Sequence, residues 1–267
     1  MCGKTKVAVV AIGVVVLAAC SAPAALIPVF EYSFPASYDG DASPTSNVFT
    51  DLSPAGNDGI MDTSDRALVD NRPPGFDSSL MSMTGANGNH GATNAIDLLN
   101  NTDVAAAGGF VMDVWFQWEG TYTNIRKLID YAGTEALRTN DSQIQFILSN
   151  SAHIIGMDIE PNTWYHAVAI FDTEGNSPYA GAYGADLDID GVMSLYIDDV
   201  LIDSQPATKT GFGDSLDRPI ALNRWAGGGG DWNQGIIFNP AVYVGVPEPA
   251  TMLLLGLGGL GLLRRRR

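Results

Sequence analysis

The sequence predicts an all-β fold, a two-sheet antiparallel β-sandwich, with helical apolar segments confined to the two termini. Three observations predict it. The first is the stretch 163–203, where Trp164-Tyr165-His166-Ala167-Val168-Ala169-Ile170-Phe171 and Leu195-Tyr196-Ile197 flank a Gly- and Asp-rich insert. Two aromatic and β-branched runs around such an insert read as a large antiparallel hairpin. The second is Gly109-Phe110-Val111-Met112-Asp113-Val114-Trp115-Phe116-Gln117-Trp118, a near-continuous apolar run. Such runs belong to central strands buried on both faces. The third is a series of short strand candidates at roughly 8–12-residue spacing, as in sandwiches.

The elements follow in order. Val29-Phe30-Glu31-Tyr32-Ser33-Phe34 alternates, placing Phe30, Tyr32 and Phe34 on one side. Residues 47–60 contain a strand end, a turn at Gly56-Asn57-Asp58-Gly59 and a restart. Residues 62–77 are polar and carry Pro73-Pro74-Gly75, so they read as a surface loop. Short strands are expected at Ser79–Thr84 and Ala95–Leu98. After the central run come Lys127–Tyr131, Ala136–Thr139, Gln143–Leu148 and His153–Ile159. In the hairpin, Ser194–Asp203 is the second aromatic and β-branched run. Its alternation with the first arm makes Trp164, Val168, Ile170, Leu195 and Ile197 the expected spine. Pro219–Asn223 and Ala241–Gly245 close the body. Trp115 and Trp164 sit within apolar strands and read as core. No amphipathic helix and no internal repeat interrupts this pattern.

Charge narrows the function classes. The 267 residues include 30 acidic and 14 basic side chains. Lys4, Lys6 and Arg264 to Arg267 lie at the ends, so the body carries 8 basic against 30 acidic residues, a net −22. Nucleic acid is an unsuitable partner, because phosphate binding needs a basic surface. Both cysteines, Cys2 and Cys20, lie in the leader, so no disulfide staples the body. His90, His153 and His166 are far apart in sequence, which argues against a Cys/His zinc site.

Lys4 and Lys6 precede the apolar run Val7–Ala19, and small residues follow. This is the pattern of a secretory signal over residues 1–25. Its 13 apolar residues are too few to cross a bilayer core of about 30 Å. Leu17-Ala18-Ala19-Cys20 also resembles a bacterial lipobox, which implies lipidation at Cys20. The alternative is ordinary cleavage near Ala22-Pro23-Ala24-Ala25. At the other end, Pro247-Glu248-Pro249 precedes a 14-residue uncharged run, Ala250–Leu263, and four Arg. These three parts over 246–267 resemble the PEP-CTERM sorting signal of Gram-negative bacteria. The apolar run parks in the membrane and the Arg cluster stays cytoplasmic. The resemblance implies processing by an exosortase-type enzyme, then delivery to the cell surface or exopolysaccharide matrix.

The body has a second resemblance. It is carried by Asp51-Leu52-Ser53-Pro54-Ala55-Gly56-Asn57-Asp58-Gly59, the Phe110–Trp118 strand, Trp164-Tyr165-His166-Ala167-Val168-Ala169 and Leu195-Tyr196-Ile197-Asp198-Asp199-Val200. In this order they resemble the laminin-G-like, concanavalin-A-like jelly roll, placing one domain at 26–245. That family's Asp-Gly turn after the Tyr strand is here Asp198-Asp199, and the closing strand lacks the family's Asp-Glu pair and has Gly235-Ile236-Ile237-Phe238-Asn239. The resemblance implies a calcium site supported by Asp51 and Asn57. Asp and Asn also make such turns without metal, by bonding their own backbone.

Some relatives of this fold are glycoside hydrolases with Glu-x-Asp-x-Glu on one strand, since two carboxylates must flank the scissile bond. The nearest string here is Gly156-Met157-Asp158-Ile159-Glu160, with Gly156 where the nucleophile would stand. The chain therefore reads as a non-enzyme. Asp186-Leu187-Asp188-Ile189-Asp190-Gly191 matches the first half of an EF-hand loop, but position 12 is Ile197. Asp186, Asp188 and Asp190 are calcium candidates or a solvated acidic turn. Trp225 and Trp232, which bracket a Gly-rich loop, and Tyr179 and Tyr183 in the hairpin insert are the carbohydrate candidates. His166 reads as a structural hydrogen-bonding residue. The expected function is a secreted, envelope-sorted adhesion or matrix-binding domain, directed at polysaccharide and calcium-dependent. A divergent glycoside hydrolase and a purely structural matrix protein are the alternatives.

Overall fold

The structure is a computed structural model describing residues 26–35, 48–61, 68–78, 80–84, 91–93, 104, 107–120, 125–131, 135–149, 152–173, 189–209, 220–222 and 235–245. Both apolar termini, residues 174–188 of the hairpin insert and the 95–98 strand candidate lie outside the described residues. The elements are strands: β1 (Ile27–Glu31), β2 (Phe34–Pro35), β3 (Val48–Phe49), β4 (Gly59–Met61), β5 (Leu68–Val69), β6 (Leu80–Thr84) and β7 (Gly91–Thr93). Then follow β8 (Gly109–Trp118), β9 (Ile125–Tyr131), β10 (Glu135–Asn140), β11 (Gln143–Leu148) and β12 (Ala152–Asp158). The last are β13 (Trp164–Asp172), β14 (Ile189–Ile197), β15 (Val200–Lys209), β16 (Ile220–Leu222) and β17 (Gly235–Val244).

Two antiparallel sheets form a sandwich, as expected. One has nine strands in the order β15-β14-β13-β8-β17-β6-β2, with β1 on β17 and β5 on β6. The other has eight, in the order β12-β11-β10-β9-β16-β7-β4-β3. The long apolar β8 is central, between β13 and β17. Its inward row is Phe110, Met112, Val114 and Phe116, all fully buried. They meet Ile129, Leu137, Ile144, Phe146 and Ile154 of the second sheet in one core. Each such side chain contributes about 1.5–3 kcal/mol by leaving water.

One expectation about the hairpin is met and one is corrected. The Ser194–Asp203 run turns at Asp198-Asp199, as the resemblance implied. Asp198 and Asp199 have φ of 49° and 66°, and they form a two-residue turn joining β14 to β15. Positive φ at both central residues matches the right-handed strand twist, and Asp tolerates it better than bulkier residues. The expected spine is off by one residue on β13. Ala167 pairs with Ile197 and Ala169 with Leu195. Cross-strand partners share a face, so the inward row of β13 is Tyr165, Ala167, Ala169 and Phe171. Small Ala residues lie beside large Leu195 and Ile197. Trp164, Val168 and Ile170 point outward.

Glycines explain two further positions. A Cβ at Gly156 of β12 would lie 2.7 Å from Ile144 Cγ2 and 2.9 Å from Leu195 Cδ2 of the facing sheet. The position is filled by its neighbours. Gly191 is inside β14, opposite Ala207, and a Cβ there would come within 2.5 Å of the Asp172 carbonyl oxygen.

Candidate functional site

The alternate positions of the three central strands build the outer face of the nine-stranded sheet. On β8 these are Asp113, Trp115 and Gln117, which alternate with the core row. Register aligns His166, Trp115 and Phe238 in one row across β13, β8 and β17. The next row is Trp164, Gln117 and Ile236, and Val168, Asp113 and Ala241 lie on the other side. Trp115 and Trp164 therefore stand on this face, half-buried, and not in the interior core as expected from their apolar strands.

The row is tightly packed. The His166 imidazole stacks on the Trp115 indole at 4.8 Å between centroids and 13° between planes. His166 Nε2 lies 2.8 Å from Asp113 Oδ1, with side-chain exposures of 20% and 32%. The His166 N–H donates to Asp198 Oδ1 at 2.8 Å, and the Asp198 N–H returns a bond to the His166 carbonyl at 2.9 Å. Burial works against protonating His166. The hydrogen bond and charge of Asp113, with the charges of Asp199 and Asp198, outweigh it and raise the imidazole above its ordinary range. Farther along, burial and the Glu31 and Asp113 carboxylates push the Tyr243 hydroxyl up, and Tyr243 hydrogen-bonds Glu31.

The loop 70–78 is strapped across one side of this face. Its Pro73-Pro74-Gly75-Phe76 sequence forms a type II turn, with Gly75 at φ 94° and the Phe76 N–H donating to the Pro73 carbonyl at 3.4 Å. The turn lays Phe76 edge-on against Trp115, at 5.4 Å, and Phe238, at 4.8 Å. Asn71 pins the loop: its Nδ2 donates to Gln117 Oε1 at 2.9 Å, and its Oδ1 accepts from Trp164 Nε1 at 3.2 Å. Gln117 Nε2 continues the chain to the Asn162 carbonyl at 2.9 Å. Ser82 donates to the Asn71 carbonyl, and Arg72 pairs with Asp70. The result is an aromatic patch with indole edges, an imidazole and a carboxylate beside one another. Such a patch suits the apolar faces and hydroxyls of a sugar ring.

The sequence candidates distribute differently. Tyr179, Tyr183, Asp186, Asp188, Trp225, Trp232, Cys20 and Pro247-Glu248-Pro249 lie outside the described residues. Asp190 is in β14, where its Oδ1 accepts from Thr208 Oγ1 at 2.7 Å. Asp51 is the hub of the 51–58 turn. Its Oδ1 accepts the N–H groups of Glu31 and Ser53 at 2.9 and 2.8 Å. Its Oδ2 accepts Ser53 Oγ at 2.9 Å and the Asn57 N–H at 2.8 Å. Asn57 Nδ2 donates to the Val29 carbonyl at 2.7 Å, and the Asn57 carbonyl accepts the Tyr32 hydroxyl at 2.5 Å. Among the described residues no group of three or more His, Cys, Asp or Glu is placed to hold a metal ion. Asp158 and Glu160 are exposed, and the Glu160 N–H donates to the Tyr165 hydroxyl at 2.9 Å. Sequence reasoning overlooked Asp113, Trp115, Asn71 and Phe76 as a group. The available signal was the Asp-x-Trp-x-Gln alternation inside β8.

Comparison with known proteins bears on both parts of the chain. Residues 245–267 match the PEP-CTERM protein-sorting motif. No curated protein matches the sequence. Among solved structures, the chain is similar to domain 4 of AbnA, a GH43 extracellular arabinanase from Geobacillus stearothermophilus, in complex with arabinotriose. The identity is 13%, the TM-score 0.55, and the match covers 86% of this chain and 98% of that one. It is also similar to the receptor binding domain of botulinum neurotoxin type G, at 10% identity and TM-score 0.53 over 86% of this chain and 50% of that one. The binding domain of Paraclostridial Mosquitocidal Protein 1 matches at 13% identity and TM-score 0.53, over 86% and 51%. The chain thus spans about half the length of the toxin domains. These likenesses show a fold of the β-sandwich type, not specifically that of laminin G or concanavalin A. Together the findings describe a β-sandwich followed by a PEP-CTERM sorting motif, the mark of bacterial export and cell-envelope sorting.

Proposed function

We propose that this chain is a non-enzymatic binding module, exported and sorted to the envelope, that holds a saccharide of the cell surface or matrix on the outer face of its nine-stranded sheet. The observation that carries this reading is the row His166, Trp115 and Phe238 with Asp113 beside it. It offers stacking surface and hydrogen-bonding groups together, as saccharide recognition requires. Two of the similar structures are described as the receptor binding domain of a neurotoxin and the binding domain of a mosquitocidal protein, and a third as an arabinanase domain in complex with arabinotriose. Catalysis is disfavoured at the 156–160 string, because Gly156 has no room for a carboxylate side chain. The tail is processed by an exosortase-type enzyme at Pro247-Glu248-Pro249.

A glycan array probed with and without EDTA tests the reading, and the EDTA arm tests the expected calcium dependence. Wild type is expected to retain a subset of saccharides and Trp115→Ala to lose them, with the far-UV spectrum unchanged. Absence of binding to every saccharide in both conditions would sink the proposal in favour of a structural matrix role. Release of reducing sugar would overturn the non-enzyme reading.

A further inference from the structure

We propose that His166 is a proton-operated lock on this outer face, whose imidazolium form holds Asp113 and the Trp115 ring and whose neutral form loosens both. The geometry carries it. One imidazole simultaneously covers an indole at 4.8 Å and reaches a carboxylate at 2.8 Å. Its backbone is tied in both directions to Asp198 of the β14–β15 turn. A cation over an indole face is held by the ring quadrupole, and a neutral imidazole loses that attraction.

The surroundings decide the sign. Among the described residues, β8 faces His166 with Asp113 and the uncharged Trp115. The turn contributes Asp198 and Asp199. β17 places Phe238 beyond Trp115, and the loop 70–78 sends only Phe76 against that indole. Asp113 thus meets the imidazole directly, while Asp198 and Asp199 act on it by charge from the turn, and all three favour its protonated form. When the proton leaves, these carboxylates lose their counter-charge, and Asp113, a third exposed, is the one whose side chain loses a direct ionic contact. Histidine is suited to this work because its titration falls in the physiological range. The lock stands whether or not the face binds saccharide. If the binding reading holds, affinity falls as pH rises through the titration of His166.

Tryptophan emission of the full chain in detergent, followed from about pH 5 to 9, reads the lock directly. An imidazolium in contact with an indole quenches its emission, so emission is expected to rise once with pH. The rise should vanish in His166→Gln. In Asp113→Asn its midpoint should fall, because the supporting charge is gone. Histidine Cε1–H NMR titration of the same proteins assigns the midpoint to His166 among the three histidines. A flat emission profile, or an unchanged rise in His166→Gln, would overturn the lock. A midpoint insensitive to Asp113→Asn would overturn it as well. Failure of the glycan array touches none of these readouts.

Discussion

Lys209 Nζ lies 3.7 Å from Glu135 Oε1, with both side chains fully buried, and the pair bridges the two sheets. Lys209 ends β15, and Glu135 opens β10 with its carboxylate turned into the sandwich. Ser149 Oγ adds a hydrogen bond to Glu135 Oε1 at 3.3 Å, and the ammonium lies 6.0 Å from the Tyr131 ring centre. Removing one partner takes away the opposite charge from a group that stays buried. Lys209→Met is expected to cost about 3–5 kcal/mol in denaturant unfolding. The double variant Lys209→Met/Glu135→Leu should recover most of that loss. A double variant no more stable than the single would show that the pair is not the source of the cost.

Gly191→Ala should destabilise the domain by about 1–3 kcal/mol, the usual range for overpacking. The added methyl meets the Asp172 carbonyl oxygen at 2.5 Å and the Phe171 ring at 2.7 Å. A neutral result in thermal unfolding would mean that β14 shifts freely against β13. Gly156→Glu, which would complete a Glu-x-Asp-x-Glu string, should destabilise the sheet contact without producing glycosidase activity.

His166 makes stability depend on pH with a definite sign. Its folded pKa is raised above its unfolded value. Its stabilisation is therefore fully present below the unfolded value of about 6.5. It is lost as pH rises through the raised folded value. The gap in melting temperature between wild type and His166→Gln should be widest in mild acid and narrow on the alkaline side. A constant gap across that window would contradict the assignment.

Asp51→Ala strips a buried carboxylate of four accepted hydrogen bonds from the 51–58 turn. Hydrogen bonds to charged groups contribute about 1.5–3 kcal/mol each, and losses at one site do not add. A loss of about 3 kcal/mol is expected in chemical denaturation. Asp51→Asn keeps one acceptor oxygen and should fall between the two proteins.

Deleting Pro247 to Pro249 is expected to block processing of the tail while the sandwich folds normally. Mass spectrometry of the exported protein, with a far-UV spectrum, reads both. Normal release of the deleted form would refute exosortase-type processing.

Much of the fold is legible in local residue order. The ten residues of β8 are too apolar for an edge, and they are central. Pro73-Pro74-Gly75 specifies its turn because proline presets φ and glycine accepts the positive value that follows. The candidate site is less legible. β13 is apolar on both faces, so alternation cannot say whether Trp164 or Tyr165 points inward. Asn71 and Trp164 share a hydrogen bond across 93 positions, which no local pattern announces.

The sequence by itself determined the all-β class, the strand-rich order and the sorting tail, because each depends on residue types within a short window. Only the tertiary structure decided which face of β13 is buried, since Ala167 and Ala169 owe their inward place to Ile197 and Leu195 on the neighbouring strand. It alone brought His166, Trp115 and Asp113 together on one face. The reason is physical: pairing register, not composition, sets which alternate side chains meet across a sheet.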